Sequence, residues 1–167
     1  MSINQLNSRQ DLEDLFKWLN EPLYKYVYIR CGYNRELAED ITQDIFVKAW
    51  EKRSTFNPSK STLKNWIYVI ARNHLIDTYR KKKISVKSFD EDIYVKDLNI
   101  SVEDEAVVSD ILRNLDRLKE KEKEVIVLRY VQDLEIEDIA KILGKSKNTT
   151  KVMIHRAIKK LKYIMNK

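Results

Sequence analysis

Glycine, proline and cysteine are nearly absent from this sequence. Its 167 residues include two Gly, two Pro and one Cys. Sandwiches and barrels need turn residues about every ten positions, and nucleotide-binding α/β folds need a Gly-rich phosphate loop. Both classes are therefore excluded. The mixture of Leu, Ile, Lys and Glu predicts an all-α protein instead.

The low content of cysteine and histidine excludes further kinds of site. Cys31 has no second cysteine for an internal disulfide, and two His with one Cys cannot form a zinc cluster of the usual spacing. No apolar run reaches the length of a membrane span, and no signal peptide is evident. We therefore expect a cytoplasmic protein with no cofactor, no metal and no membrane insertion, in which Cys31 fills space in the core.

Charge divides the chain into three parts. The net charge is +5 over residues 1–83, −5 over 84–105 and +6 over 106–167. The acidic part has no sustained helical period. We expect two small helical domains, 1–83 and 105–167, joined by an acidic linker over 84–104; a short strand there is the alternative, but it would lack a partner.

The N-terminal domain reads as three helices. Apolar residues at helical spacing predict a first helix that Pro22 should kink or split and that Gly32 should end. Asn34 is a candidate N-cap for the second helix, and Ser61 or Thr62 for the third.

The C-terminal domain should contain a helix-turn-helix. Ser101 is a candidate N-cap for its first helix. The run "VIVLRYV" (125–131) would pass for a buried strand, but strong helix formers precede it. Two amphipathic helices then flank Gly144, a residue suited to a left-handed helix end, and Ser146, a candidate N-cap.

Acidic residues disappear near the C-terminus. From Lys141 onward there are nine Lys or Arg and no Asp or Glu. Basic groups on a recognition helix release counterions from DNA phosphates and reach base edges in the major groove. Complementing the helix dipole explains the last lysines but not those near the N-terminal end. The predicted duplex-binding residues are Lys147, Asn148, Lys151, Val152, His155 and Arg156.

Residues 52–83 combine nine basic residues and one acid with interleaved aromatic side chains. This composition is typical of surfaces that follow a single-stranded backbone and stack unpaired bases. Trp66 fits the core better than a nucleic-acid contact. Tyr68, Arg72, Asn73 and Arg80 are the candidates for DNA contacts along this helix.

The second helix presents carboxylates beside apolar groups. Acids in the early turns could simply complement the helix dipole. That explanation does not require an exposed Phe46 or Val47 next to a carboxylate, whereas a protein interface does. The candidate protein-binding residues are Asp40, Gln43, Asp44, Phe46 and Val47.

Three segments together resemble the extracytoplasmic-function group of bacterial sigma factors. "AEDITQDIFVKAW" (38–50) is similar to the group's helix that binds core RNA polymerase. "LKNWIYVIARNHLIDTYRKKK" (63–83) is similar to its promoter-melting and minus-ten helix, and "LEIEDIAKILGKSKNTTKVMIHRAIKKL" (134–161) to its minus-thirty-five helix-turn-helix. Departures from the family pattern fall at Thr150, Val152 and Met153, so the preferred minus-thirty-five sequence is not transferable.

The resemblance implies a sigma factor that needs no catalytic residue. Its partners would be the clamp helices of core RNA polymerase and promoter DNA, both as duplex and as melted single strand. The loop 54–62 would hold a flipped-out base, with Phe56, Asn57 and Lys60 as candidates. The acidic linker would occupy the polymerase's RNA-exit path, and an anti-sigma factor is a further expected partner.

Two other functions are compatible with parts of the sequence. A repressor or activator would use the same helix-turn-helix, but it would leave the single-strand chemistry of 56–82 unexplained. A magnesium nuclease would use Asp40, Asp44 and Asp77, yet no further acids are placed to converge with them.

Overall fold

The computed structural model describes residues 5–82 and 105–167, and these residues are entirely helical and loop. The all-α class is therefore confirmed. The helices are α1 (Arg9–Arg30), α2 (Arg35–Glu51), α3 (Leu63–Lys82), α4 (Glu105–Leu115), α5 (Glu120–Ile126), α6 (Ile136–Leu143) and α7 (Lys147–Met165). The predicted linker, its alternative strand and the Ser101 cap lie outside the described residues.

Local capping signals set the helix starts of the N-terminal unit. Ser8 caps α1, where Ser8 and Asp11 form a reciprocal capping box. The Asn34 side chain accepts a hydrogen bond from the amide of Leu37, as predicted. Of the two candidates for α3, Thr62 caps: its hydroxyl accepts from the amide of Asn65 at 3.2 Å.

The prediction that Pro22 splits the first helix is wrong, because α1 runs unbroken from Arg9 to Arg30 with Pro22 inside it. Proline removes one backbone hydrogen bond and costs a helix interior about 3 kcal/mol. The buried stripe of α1 continues on both sides of the proline, and each fully buried apolar side chain contributes about 1.5–3 kcal/mol. Burial therefore outweighs the lost hydrogen bond. The buried residues are Leu15, Leu19, Leu23, Tyr26 and Val27.

The run "VIVLRYV" is helical rather than extended, as predicted. α5 ends at Ile126, and Val127–Val131 continue as one π-helical turn. In this turn the amide of Gln132 donates to the carbonyl of Val127 at 3.0 Å. A π turn contains one residue more than an α turn, so it shifts the side chains that follow.

α6 and α7 form the predicted helix-turn-helix. Gly144 ends α6 in the left-handed conformation, with φ of 63°. The Ser146 hydroxyl accepts from the amide of Thr149 and caps α7. Both predicted signals are confirmed, and the tight turn between them fixes the angle at which α7 leaves α6.

The two helical units pack against each other. α3 lies against α6, and α1 contacts both α5 and the π turn. The buried apolar residues form one continuous cluster that extends from Leu6 in the first unit to Ala157 in the second. Cys31 belongs to this cluster, and its burial raises the pKa of the thiol to about 12. In the described ranges no helix is long and apolar enough to cross a membrane.

Candidate nucleic-acid and polymerase interfaces

The outer face of α7 carries the predicted duplex-binding side chains. All six are exposed, while Thr150, Ile154 and Ala157 on the opposite side are buried. Of the three departures from the family pattern, only Val152 lies on the exposed face, with 47% of its surface accessible. The Thr150 hydroxyl is fully buried and donates to the Ser146 carbonyl at 2.9 Å. A basic surface thus faces solvent over the N-terminal half of α7.

Lys147, at the start of α7, is paired within its own unit. Its ammonium donates to the carboxylate of Glu137 on α6. This hydrogen bond and the lysine charge lower the pKa of Glu137. The pair offsets the repulsion between a cation and the positive end of the helix dipole. Lys151, one turn later, is exposed.

Loop residues 56–60 are ordered around Asn57. Its side-chain oxygen accepts from the amide of Ser59 at 2.9 Å, and its carbonyl accepts from the amide of Lys60 at 3.0 Å. Phe56 is half-buried against Trp66, with ring centroids 5.4 Å apart. Asn57 and Lys60 are exposed at the surface. Trp66 packs against the core, as predicted.

The candidate residues along α3 divide into two groups. Asn73 and Arg80 are exposed. Tyr68 is fully buried, and its hydroxyl donates to the side-chain oxygen of Gln132 in the C-terminal unit. Arg72 is partly covered, and its Nε lies 3.0 Å from a carboxylate oxygen of Glu124. In this arrangement Tyr68 cannot stack on a base, because its ring is buried with an edge-on contact to Tyr26 of α1 and its hydroxyl is bonded to Gln132.

The polar ridge of α2 lies between two grooves. Asp40, Gln43 and Asp44 are exposed along the ridge. Towards α3, the ring Nε2 of His74 lies 3.2 Å from a carboxylate oxygen of Asp44. Burial lowers the pKa of His74, and the hydrogen bond to Asp44 only partly counteracts this effect. The imidazole therefore favours its neutral form.

Towards α1 the groove is mostly apolar. Val47 is 56% exposed and Phe16 is 45% exposed, and both line this groove; contiguous exposed apolar surface of this kind is typical of interaction sites. The expectation that Phe46 is exposed is wrong: it is 6% exposed and packs on Phe16 with ring centroids 5.0 Å apart. The aromatic group that reaches the surface here is Phe16. Its position fits the apolar stripe of α1, so helical periodicity alone does not identify it as a surface residue.

No acidic cluster supports metal chemistry in 5–82 or 105–167. These ranges contain no group of three or more His, Cys, Asp or Glu side chains placed to hold an ion. Asp40 and Asp44 lie on the exposed side of α2.

Two family models match the chain. Residues 19–84 match Sigma-70 region 2, and residues 109–161 match Sigma-70, region 4. Among curated proteins, the RNA polymerase sigma factor YlaC of Bacillus subtilis (strain 168) is 33% identical, over 97% of this chain and 96% of its own. The ECF RNA polymerase sigma factor SigW of the same organism is 31% identical, over 87% and 82% of the two chains.

Solved structures with the same fold include two complexes. RpoE bound to the anti-sigma factor NepR, from Bartonella quintana, matches with a TM-score of 0.71 and 26% identity over 95% of this chain and 98% of the other. CnrH bound to the cytosolic domain of CnrY matches with a TM-score of 0.73 over 96% and 90%, at 21% identity.

Proposed function

We propose a residue-level division of labour for this chain, which belongs to the extracytoplasmic-function sigma factors of the sigma-70 family. As a sigma factor it recognises promoter DNA and promotes transcription initiation with core RNA polymerase. The N-terminal unit would bind polymerase through α2 and the melted minus-ten strand through α3, and the C-terminal unit would bind the minus-thirty-five duplex through α7. The observation that supports this assignment is the distribution of exposed side chains. Acidic and apolar groups lie together on α2, as a protein partner requires, and basic groups lie on α3 and α7, as DNA requires.

The polymerase surface would be the α2 ridge together with the apolar groove beside it. Carboxylates on the ridge provide orientation and charge complementarity, and the groove provides apolar area to bury. Asp40, Gln43 and Asp44 form the polar part of this surface. Val47 joins the two parts, because it lies on the ridge and also lines the groove. Phe16 extends the surface onto α1.

The duplex surface would be the exposed face of α7. Its lysines and arginine would contact phosphates, and Val152 would offer an apolar contact, such as to a thymine methyl group. Because Val152 lacks a hydroxyl, it cannot make a polar contact with a base. The sequence preference at that position should therefore be for a base with an apolar edge group.

The melted-strand surface would combine the loop around Asn57 with α3. Asn57, Lys60, Asn73 and Arg80 are already accessible. Tyr68 and Arg72 would become available only after the C-terminal unit moves away. Phe56 would form one wall of a base pocket, supported from behind by Trp66.

An anti-sigma factor is a further proposed partner. The complex of RpoE with NepR supports this proposal, since the RpoE chain shares the present fold along nearly its whole length. The apolar groove between α1 and α2 is a suitable target, because a protein bound there would also block polymerase. The cytoplasm, where RNA polymerase acts, is the proposed location.

Run-off transcription with core polymerase tests the function and the α2 assignment together. The parent chain should direct initiation from a subset of promoters in a genomic library. Asp44→Arg and Val47→Asp should abolish or greatly weaken both run-off and retention of core polymerase, since each variant places a repulsive or desolvated charge in the interface. Glu135→Arg makes the same reversal on an exposed acid of the C-terminal unit and should behave like the parent.

The outcomes of this experiment distinguish the sigma function from the assignment of the polymerase surface to α2. A parent chain that never directs initiation with any core polymerase would contradict the sigma function. Variants with parental circular dichroism, run-off and polymerase retention would instead show that the polymerase surface lies elsewhere.

A further inference from the structure

A cavity of about 390 Å³ lies between the polar ridge of α2 and helix α3. His74 lines it from α3, and Asp44 lines it from α2. The ring Nε2 of His74 lies 3.2 Å from a carboxylate oxygen of Asp44. This contact therefore joins the helix assigned to melted DNA to the surface assigned to polymerase.

The two partners of this contact differ in exposure. The Asp44 side chain is 62% exposed, whereas that of His74 is 15% exposed. Ala71 and Leu75, which precede and follow His74 on α3, are fully buried, so the core fixes the backbone from which the imidazole extends. An exposed side chain on a helix samples several rotamers, and a hydrogen bond from a fixed donor selects one of them. His74 therefore restricts the orientation of the Asp44 carboxylate at the surface.

We propose that His74 is a positioning residue for polymerase binding, which holds the Asp44 carboxylate in the orientation that polymerase binds. The inference rests on the proposed function, because it requires that Asp44 contact polymerase. α3 then serves both ligands: Asn73 is exposed for DNA, and His74 beside it faces α2.

The charge of the imidazole determines what this contact does. Burial lowers the pKa of His74, so the ring is neutral at neutral pH. A neutral ring must carry its proton on Nε2 to make this hydrogen bond, because an ionised carboxylate only accepts. Asp44 then keeps its full negative charge for polymerase, whereas a ring protonated in acid would offset that charge. The charged groups around the ring are Asp40, Asp44 and Lys48 on α2 and Asp77 and Lys81 on α3.

A double-mutant cycle on the full chain tests the role of His74. His74→Ala removes the donor and leaves the Asp44 side chain free to rotate. The dissociation constant for core RNA polymerase should therefore increase about two- to tenfold, the usual effect of one additional side chain that must be ordered on binding. The same substitution in an Asp44→Ala chain should have no effect, because no carboxylate is left to orient. Circular dichroism checks that each chain is folded.

The conservative variant His74→Gln separates positioning from packing. Its side-chain amide is a donor that can replace Nε2, so it should bind polymerase like the parent at about pH 8. Glutamine does not titrate, so only the parent should lose affinity through protonation at position 74. From about pH 8 to about pH 5, the ratio of the parent's dissociation constant to that of His74→Gln should therefore increase. The ratio cancels the titration of polymerase itself, and it decides the question if His74→Ala does not fold.

Several results would overturn the proposal while leaving Asp44 at the polymerase surface. His74→Ala could bind like the parent, or it could lose the same affinity with and without the Asp44 carboxylate. His74→Gln could bind as weakly as His74→Ala, or the ratio could stay constant with pH. If instead Asp44→Ala binds polymerase like the parent, the polymerase surface lies elsewhere, and both the surface assignment and the role of His74 are wrong.

Discussion

Neighbouring lysines on the DNA-facing helix should make unequal contributions to DNA binding. Lys147 is paired with Glu137, whereas Lys151 is exposed one turn later. A lysine that neutralises one phosphate contributes about 0.9 to the salt slope, which corresponds to about eightfold in affinity between 0.1 M and 1 M salt. Lys151→Ala should lose this full amount. Lys147→Ala should lose much less, because the carboxylate already offsets its charge.

Removal of the Glu137 carboxylate should remove this difference between Lys147 and Lys151. Glu137→Gln frees the Lys147 ammonium, so the salt slope should increase by up to about 0.9 and affinity should rise. Adding Lys147→Ala to Glu137→Gln should cancel that gain. Stability should change little in each case, because the pair is exposed and solvent screens it.

Fluorescence anisotropy of the full chain on a labelled duplex, at several salt concentrations, measures these slopes. Any duplex is suitable, since phosphate contacts do not depend on sequence. Equal salt slopes for Lys147→Ala and Lys151→Ala, with no change for Glu137→Gln, would refute the prediction that the ion pair reduces the contribution of Lys147 to DNA binding. A slope unchanged in all variants would mean that this face of α7 does not contact phosphates.

Two further predictions concern stability. Gly144 has φ of +63°, and a Cβ added there would meet nothing within 4 Å. Gly144→Ala should therefore lower the free energy of unfolding only by the cost of the left-handed conformation, about 1–2 kcal/mol, and Gly144→Asn should lower it less. Urea unfolding measures both losses, and equal losses would contradict the prediction. Burial lowers the pKa of His74, so the unfolded chain takes up this proton first and stability falls as pH drops below the usual value of 6.5. As pH drops below 6.5, the free energy of unfolding should fall less in His74→Gln than in the parent chain. An equal fall in both chains would show that His74 does not contribute to this pH dependence.

Local signals in the sequence were sufficient for several of the helix ends. Asn34, Ser146 and Gly144 each act through the backbone within a few residues, so their roles do not depend on distant parts of the chain. The same holds for the helix-turn-helix and for its exposed basic face. These features could be predicted because the apolar stripe and the charged face follow one helical period.

Burial at the contacts between helices could not be predicted in the same way. Phe46 and Phe16 pack on each other between α1 and α2, and periodicity alone does not say which ring is left exposed. The buried Tyr68 hydroxyl donates to Gln132, which lies 64 residues further along the chain. Such long-range pairing has no periodic signature.

The π turn at Val127–Val131 determines the direction in which the residues after it face. One extra residue in a helix rotates everything beyond it by about 100° around the axis. Gln132 follows this turn directly and α6 begins at Ile136, so the direction in which Gln132 faces α3 depends on a single inserted position. Deleting one codon there would restore a regular helix and turn Gln132 away from Tyr68. In evolutionary terms, the docking of one unit on the other can be gained or lost in one step, without altering either DNA-binding surface.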